Sequence, residues 1–180
     1  MKKIKTDIQD LFVIEYEVFS DERGVFFEFF NQDKFNALKL DFFVKQANHS
    51  FSKQGVLRGL HFQKEPQAMA KLVRCSKGKI WDVAVDLRPD SPSFKKWFGI
   101  ELSPENKKML YIPAGFAHGF YALKDCEVQY LTDNTYNKEL DAGVFYNDPE
   151  LNIDWPVLEG YELILSDRDK SLPLLRDVDL

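Results

Sequence analysis

Residues 81–87, WDVAVDL, decide the fold class of this chain. The large apolar residues stand at every second position from Trp81 to Leu87, and Asp82, Ala84 and Asp86 fall between them. Alternation with a period of two predicts a half-buried β-strand. The segment 14–18, IEYEV, alternates in the same way, so strands are expected in distant parts of the chain.

Turn-forming residues punctuate the chain at short intervals, which is typical of a sandwich or barrel. They stand at Gly24, Gly55, Gly78, 89–92, Pro104, 113–115, Gly143 and Pro149. Only short helices are predicted, one over 32–38 and one near the C-terminus. The sequence therefore predicts an all-β jelly-roll barrel with short peripheral helices. An α/β fold ranks second, because no ten-residue helical pattern separates the strands.

The length and composition predict one soluble domain over residues 1–180. Twenty-four Lys and Arg against 29 Asp and Glu give a net charge of −5, which provides no overall attraction for nucleic acid or an anionic membrane. No stretch approaches the ~20 apolar residues of a membrane helix, and the N-terminus lacks the apolar run of a signal peptide. Cys75 and Cys126 are too few for a disulfide framework or a thiolate zinc site. A cytoplasmic protein with reduced thiols is expected.

The period of two also predicts which polar side chains share a face of a strand. Gln46 and Asn48 point to the same side of their segment, and His49 points to the other side. Asp82 and Asp86 share the second face of the 81–87 strand. Polar side chains that face the inside of a barrel indicate a wet, ligand-binding interior.

Two of the three histidines, His61 and His118, are each flanked by glycine and apolar residues. Three interpretations stay open for them. They are hydrogen-bonded structural imidazoles, or they bind a metal together with a carboxylate, or one is an acid–base catalyst whose tautomer is fixed by a carboxylate. The metal interpretation is the weakest, because neither segment has a His-x-His or His-x-x-x-His spacing.

Asp169 and Tyr130 are candidates for the rest of an acid–base site, although each also has a structural explanation. The spacing Ser166-x-x-Asp169 resembles a capping box at a helix start. Pro173 follows so soon that such a helix has room for barely one turn. Tyr130 lies on an alternating strand, where a tyrosine more often serves packing than chemistry.

Three cations, Arg23, Arg58 and Lys71, lie beside glycine or within apolar segments rather than in charge runs. Arginine binds phosphate through two parallel hydrogen bonds and lysine binds it as a point charge. These three residues are therefore the candidates for binding a phosphate group. The chain has no GxGxxG and no Walker loop, so a dinucleotide-binding or ATP-binding fold has no support.

Seven motifs follow one another along the chain, within a region of similarity from about residue 12 to residue 175. They are GVLRGLHFQ (55–63), KLVR (71–74), DVAVDLR (82–88), SPSF (91–94), IPAGFAHGF (112–120), NDP (147–149) and LSDRD (165–169). Together they resemble the dTDP-4-dehydrorhamnose 3,5-epimerase family. The resemblance implies a cupin, a double-stranded β-helix barrel that is usually a homodimer. It also implies a dTDP-4-keto-6-deoxy sugar substrate and no metal or organic cofactor.

The resemblance further implies a role for each residue at the sugar. His61 is the base, and Asp169 is the carboxylate that orients it. Tyr130 is the opposed proton donor, Lys71 lies near the C4 oxygen, and His118 lines the sugar site. The C4 ketone acidifies the hydrogens on C3 and C5, so a base, an enolate stabiliser and an opposed acid are sufficient.

The substrate contacts implied by the resemblance are Arg23, Glu28, Gln46, Asn48, Arg58, Tyr136, Asp141 and Arg168. Tyr136 matches the aromatic residue on which thymine stacks, and Arg58 is expected at the diphosphate. Many family members have Glu, Lys and Gln where this chain has Asp141, Arg168 and Met69. These departures leave open the strictness for thymidine and whether one or both carbons are inverted.

Two structural expectations accompany the resemblance. Arg58 and His61 are three residues apart, which on a regular strand gives opposite faces, so a bulge or bend at Gly59 is predicted. The strands around residues 14–18 are expected to be exchanged between subunits. Two other functions stay open, namely a single-centre epimerase of a related nucleotide 4-keto sugar and a non-catalytic cupin that binds a nucleotide sugar.

Overall fold

Thirteen β-strands, two short α-helices and one 3-10 helix make up the computed structural model, which describes residues 1–180. The strands are β1 (Lys2–Lys5), β2 (Phe12–Glu15), β3 (Val18–Asp21), β4 (Gly24–Phe27), β5 (Gln46–Ser52), β6 (Leu57–Gln63), β7 (Lys71–Lys77), β8 (Ile80–Asp86), β9 (Trp97–Leu102), β10 (Lys108–Ile112), β11 (Phe116–Ala122), β12 (Cys126–Thr132) and β13 (Asp141–Gly143). The helices are α1 (Gln32–Ala37) and α2 (Asp167–Lys170), and the 3-10 helix covers Leu175–Asp177. The predicted all-β class with short helices is confirmed, and none of the helices is long and apolar enough to cross a membrane.

Two antiparallel sheets pack against each other. The six-stranded sheet has the order β1-β2-β10-β7-β12-β5, and the five-stranded sheet has the order β13-β6-β11-β8-β9. An apolar core joins them, with Val73 and Leu110 from the first sheet packed among Ala84 and Phe120 from the second. This is the two-sheet barrel that the alternating pattern predicts.

Strand β8 shows how the alternation of 81–87 produces this arrangement. Val83 and Val85 are buried on the outer face of the five-stranded sheet, beneath the C-terminal part of the chain. Ala84 belongs to the core between the sheets. Asp82 and Asp86, on the same side as Ala84, are fully buried. Both carboxylates lie on the inner face as predicted, but Asp86 is bonded to Arg88, Ser91 and Ser93 and does not face a ligand-binding interior.

Helix α1 covers the outer face of the six-stranded sheet. Asn31 caps its start, because the Asn31 side-chain oxygen accepts a hydrogen bond from the Lys34 backbone N–H at 3.1 Å. Phe35 is fully buried and packs in a cluster with Leu72 and Met109 of the sheet. The helix predicted over 32–38 is therefore confirmed.

Strands β3 and β4 form a hairpin that is hydrogen-bonded to neither large sheet. The strands expected around residues 14–18 are present, since β2 ends at Glu15 and β3 begins at Val18. Tyr16 lies between these two strands, and its ring stacks on Phe27 with ring centroids 4.6 Å apart. Ile14 pairs with β1 and β10 of its own chain, and the exchange of residues 14–18 between subunits stays a prediction.

Both cysteines are free and buried in the core between the sheets. Burial raises the pKa of Cys75 to about 12 and that of Cys126 to about 11. Both thiols are therefore protonated near neutral pH, where a thiol is a poor nucleophile and a poor metal ligand.

Candidate active site

A cavity of about 350 Å³ opens between the two sheets. Its lining is mostly polar, in contrast to the apolar core that fills the neighbouring space between the sheets. Eleven of the thirteen predicted site residues line it, namely Gln46, Asn48, Arg58, His61, Lys71, His118, Tyr130, Tyr136, Asp141, Arg168 and Asp169. Arg23 and Glu28 lie elsewhere.

The predicted bulge brings Arg58 and His61 to the same side of β6. Arg58 and His61 are three residues apart on β6, whereas their partners on β11, Phe120 and His118, are only two residues apart. Gly59 has a φ of +127°, and a Cβ on it would lie 2.5 Å from the Cα of Gly119 on β11. Only glycine fits so close an approach of two backbones. The bulge at Gly59 is confirmed.

His61 is paired with Asp169. The His61 Nε2 lies 2.6 Å from Asp169 Oδ1, and Ser166 Oγ donates to Asp169 Oδ2 at 2.7 Å. Burial alone would raise the pKa of Asp169, but the hydrogen bonds from His61 and Ser166 outweigh burial and lower it. We assign the proton to Nε2, since an ionised carboxylate only accepts, so the lone pair lies on Nδ1.

The Ser166-x-x-Asp169 segment combines a helix cap with a carboxylate that contacts His61. Ser166 Oγ accepts a hydrogen bond from the Asp169 backbone N–H at 3.1 Å and so caps α2. The carboxylate of the same Asp169 contacts His61. Helix α2 is a single turn that ends before Pro173, as the sequence predicts.

A second histidine–carboxylate pair lies beside the first. His118 Nε2 is 2.7 Å from Asp82 Oδ1, and His118 is the direct cross-strand neighbour of His61. Asp82 is fully buried, and its Oδ2 has no hydrogen-bond partner. Alternation predicts Asp82 on the inner face of its strand, but nothing in the sequence pairs it with His118.

Tyr130 and Lys71 line the cavity from the six-stranded sheet, whereas both histidines line it from the five-stranded sheet. Lys71 spans the gap, since its Nζ donates to the His61 carbonyl oxygen at 3.3 Å. Burial lowers the pKa of Lys71 to about 8, although the charges of Asp141 and Asp82 oppose the shift. The lysine is therefore largely charged at pH 7.

Tyr130 is a phenol rather than a phenolate over a wide pH range. Burial raises its pKa, and the nearby charge of Arg58 only partly offsets this effect. Arg58 itself is fixed by hydrogen bonds from Nε to Ser52 Oγ at 2.9 Å and from Nη2 to the Phe51 carbonyl oxygen at 3.1 Å. These bonds leave Nη1 free for a ligand, and Arg58 lines the cavity.

Gln46 and Asn48 lie on the cavity face of β5, as alternation predicts, and His49 lies on the opposite face. Gln46 Nε2 donates to Asn48 Oδ1 at 2.8 Å. This bond uses the Asn48 oxygen and leaves the Asn48 amide hydrogens available to an acceptor in the cavity.

Tyr136, Asp141 and Arg168 form a chain of contacts along one edge of the cavity. Asp141 Oδ2 accepts from the Tyr136 hydroxyl at 2.9 Å and lies 2.7 Å from Arg168 Nη2. The hydrogen bond to Asp141 raises the pKa of Tyr136. The Tyr136 residue is 55% exposed, so its ring is accessible to a ligand.

Arg23 and Glu28 belong to the β3–β4 hairpin and the chain just after it. The Arg23 side chain is 86% exposed and contacts Asp21 at 2.6 Å. Glu28 contacts Lys34 at 2.7 Å. Neither residue reaches the cavity of its own chain.

The cavity thus combines two imidazoles, a phenol on the facing sheet and an ammonium group, which is an arrangement suited to proton transfer on both faces of a flat ligand. No three His, Cys, Asp or Glu side chains are gathered closely enough to hold a metal ion. Gln63 also lines the cavity, and sequence reasoning missed it.

Residues 5–177 match the family described as dTDP-4-dehydrorhamnose 3,5-epimerase. The chain belongs to this epimerase family. The resemblance carried by the seven motifs is confirmed, and with it the cupin barrel.

Individual members of the epimerase family are similar over almost the whole chain. The dTDP-4-dehydrorhamnose 3,5-epimerase of Escherichia coli K12 is 51% identical over 174 residues, which cover 96% of this chain and 93% of that protein. The crystal structure of the Elizabethkingia anophelis enzyme is 49% identical with a TM-score of 0.93, over 98% of this chain and 97% of that one. The dTDP-6-deoxy-D-glucose-3,5-epimerase of Legionella pneumophila, solved with dTDP-4-keto-L-rhamnose, is 42% identical with a TM-score of 0.94. The match covers 99% of this chain and 94% of that one.

Proposed function

We propose that this protein converts dTDP-4-dehydro-6-deoxy-D-glucose to dTDP-4-dehydro-L-rhamnose by inverting C3 and C5 of the sugar. The observation that carries the proposal is the position of His61, paired with Asp169, on the sheet that faces Tyr130. Inversion requires that a proton leave one face of a carbon and that another arrive on the opposite face. Membership of the epimerase family supports the same reaction.

His61 begins the cycle by removing a proton from C3. The proton moves to His61 Nδ1, the C3–H electron pair forms a C3–C4 double bond, and negative charge moves to the C4 oxygen. Lys71 stabilises this oxyanion, because an ammonium group held in a largely buried site interacts with charge more strongly than one in water. Asp169 holds the imidazolium that forms.

Tyr130 completes the inversion from the other side. Its hydroxyl gives a proton to C3, and the C4 carbonyl forms again as the double bond is lost. His61, whose side chain is 28% exposed, releases its proton to solvent, and Tyr130 regains one. The same cycle at C5 completes the reaction. No step requires a cofactor, because the C4 ketone itself stabilises the carbanion.

The nucleotide is assigned to the remaining polar surface of the cavity. Arg58 Nη1 and the Asn48 amide supply hydrogens for the diphosphate, and Gln46 orients Asn48. The exposed ring of Tyr136 is proposed to stack on thymine, because an accessible aromatic face can pack on a flat base. Asp141 and Arg168 lie beside Tyr136 and complete this edge.

We further propose a homodimer in which the β3–β4 hairpin of one copy reaches the cavity of the other. Phe19 is 57% exposed and Phe26 is 70% exposed on this hairpin, and clustered exposed aromatic residues favour an interface. Arg23 and Glu28 would then contact the substrate of the second copy. Size measurement tests this proposal, and a fully active monomer at assay concentration would contradict it.

Residues 1–180 are proposed to act as one domain in the cytoplasm. The core between the sheets draws on the chain from Ile8 to Val128, so the two sheets depend on each other. Two free, buried thiols suit a reducing compartment.

Deuterium exchange tests the reaction directly. The protein is incubated with dTDP-4-dehydro-6-deoxy-D-glucose in deuterated water, and C3 and C5 are followed by NMR. Deuterium at both carbons, together with the L-rhamno product, is expected. Exchange at one carbon alone would identify a single-centre epimerase. Binding of dTDP without any exchange would identify a non-catalytic nucleotide-sugar-binding cupin.

A further inference from the structure

The segment that carries Tyr136 has no regular secondary structure. It connects Thr132 at the end of β12 to Asp141 at the start of β13 without a helix or strand between them. Tyr136 is 55% exposed, so packing does not fix its ring. The hydroxyl bond to Asp141 fixes one end of the side chain. The position of the backbone must be fixed by other contacts.

Gln63 supplies those contacts. It is the last residue of β6 and is 5% exposed. Its Oε1 accepts from the Asn137 backbone N–H at 2.8 Å, and its Nε2 donates to the Thr135 carbonyl oxygen at 3.1 Å. Gln46 Oε1 accepts from the Tyr136 backbone N–H at 2.9 Å. Two glutamine side chains therefore hold three successive residues, with Tyr136 in the middle.

We propose that Gln63 is a positioning residue that holds Tyr136 ready to stack on a flat heterocyclic base and thereby sets the affinity for the nucleotide. The proposal rests on the assignment of the thymine to Tyr136. Gln63 shares strand β6 with Arg58 and His61. It therefore fixes the Tyr136 ring relative to Arg58, which is assigned to the diphosphate, and to the catalytic base His61. A segment ordered before binding loses less conformational entropy when the ligand arrives.

The substitution Gln63→Met tests this role, because it keeps the approximate length of the side chain and removes its hydrogen bonds. We expect the KM for the dTDP-sugar and the Kd for dTDP alone to rise about tenfold, with kcat changed less than about twofold. Gln54→Met is the matched control, since Gln54 also bonds a carbonyl oxygen, that of Leu123 at 2.9 Å, but does not line the cavity. It should leave both constants unchanged.

A double-substitution cycle separates positioning from general stability. In a Tyr136→Ala protein, adding Gln63→Met should change the Kd for dTDP by less than about twofold, because the ring that Gln63 positions is gone. A full tenfold effect in that background, or a loss confined to kcat, would overturn the proposal. Should Gln63→Met fail to fold, Gln63→Asn applies the same test, because its amide is one methylene too short to keep both bonds.

The outcome also distinguishes this inference from the proposed function. A wild-type protein that neither binds dTDP nor exchanges deuterium would overturn both. An active wild type whose dTDP affinity falls in Tyr136→Ala but not in Gln63→Met would overturn the role of Gln63 alone.

Discussion

The His61–Asp169 pair and the His118–Asp82 pair contain the same two side chains in different surroundings. Asp169 comes from the one-turn helix α2 and has both oxygens hydrogen-bonded, whereas Asp82 comes from a neighbouring strand and has one oxygen without a partner. The His61 side chain is 28% exposed, and that of His118 is 10% exposed.

Under the proposed function, the surroundings rather than the residue identity suit the His61 pair to repeated proton transfer. A base must exchange its proton with solvent in each cycle, which the partly exposed His61 ring allows. A buried carboxylate with an unpartnered oxygen needs a nearby cation. The Asp82 charge raises the pKa of Lys71, against the effect of burial. We infer that Asp82 orients His118 and helps to keep Lys71 charged.

Removal of the His61 ring should have the largest effect. We expect His61→Ala to lower kcat about 10⁴-fold, because proton abstraction loses its base, while the Kd for dTDP changes less than about twofold. NMR turnover and calorimetric titration measure the two quantities. His49→Ala is the control, since His49 lies on the outer face of β5. Activity of His61→Ala within about tenfold of wild type would contradict the assignment.

The losses of kcat on replacing the two carboxylates should differ clearly. Asp169→Asn is expected to lower kcat about 10³-fold, because the imidazolium loses its counter-charge and the ring its orientation. Asp82→Asn should lower kcat only about tenfold, because Asp82 acts through His118 and Lys71. Steady-state kinetics on both variants provides the comparison. Equal losses of kcat would mean that the two histidine–carboxylate pairs contribute equally to catalysis.

Tyr130→Phe should impair the second half of the cycle more than the first. We expect the rate of full epimerisation to fall about 10²-fold, because the opposed proton donor is lost. Deuterium exchange at C3 should fall far less, because His61 still removes and returns protons on its own face. Tyr161→Phe is a control on an exposed tyrosine outside the cavity. Exchange that falls as steeply as epimerisation would show that Tyr130 has another role.

The smallest predicted effect is a shift in pH dependence. Lys71 has a pKa of about 8, so kcat should fall as the pH rises through that value and the ammonium loses its proton. Asp82→Asn should move this fall about half a unit to lower pH, because the lost negative charge favoured the ammonium. Asp169→Asn should leave it in place. Profiles of kcat from about pH 6 to about pH 9.5 decide between these outcomes.

Much of the cavity lining follows from local geometry and is predictable from the sequence. Successive side chains of a strand point to opposite faces, so Gln46, Asn48 and Tyr130 could be assigned to shared faces without any tertiary information. The same parity rule exposed the conflict between Arg58 and His61 and located the bulge that resolves it. The alternation over 14–18 indicates strands but does not show the break between β2 and β3, where the Tyr16 ring stacks on Phe27.

The sequence by itself determined the strand class, the faces of the strands and, through its motifs, the epimerase family. Only the tertiary structure decided which polar groups meet. His61 and Asp169 are separated by 108 residues, and Asp82 reaches His118 only because β8 and β11 are neighbours in one sheet. Such contacts depend on sheet order and register, which bring distant segments together. The direction of a side chain depends on its own backbone alone, so it can be predicted from the local pattern.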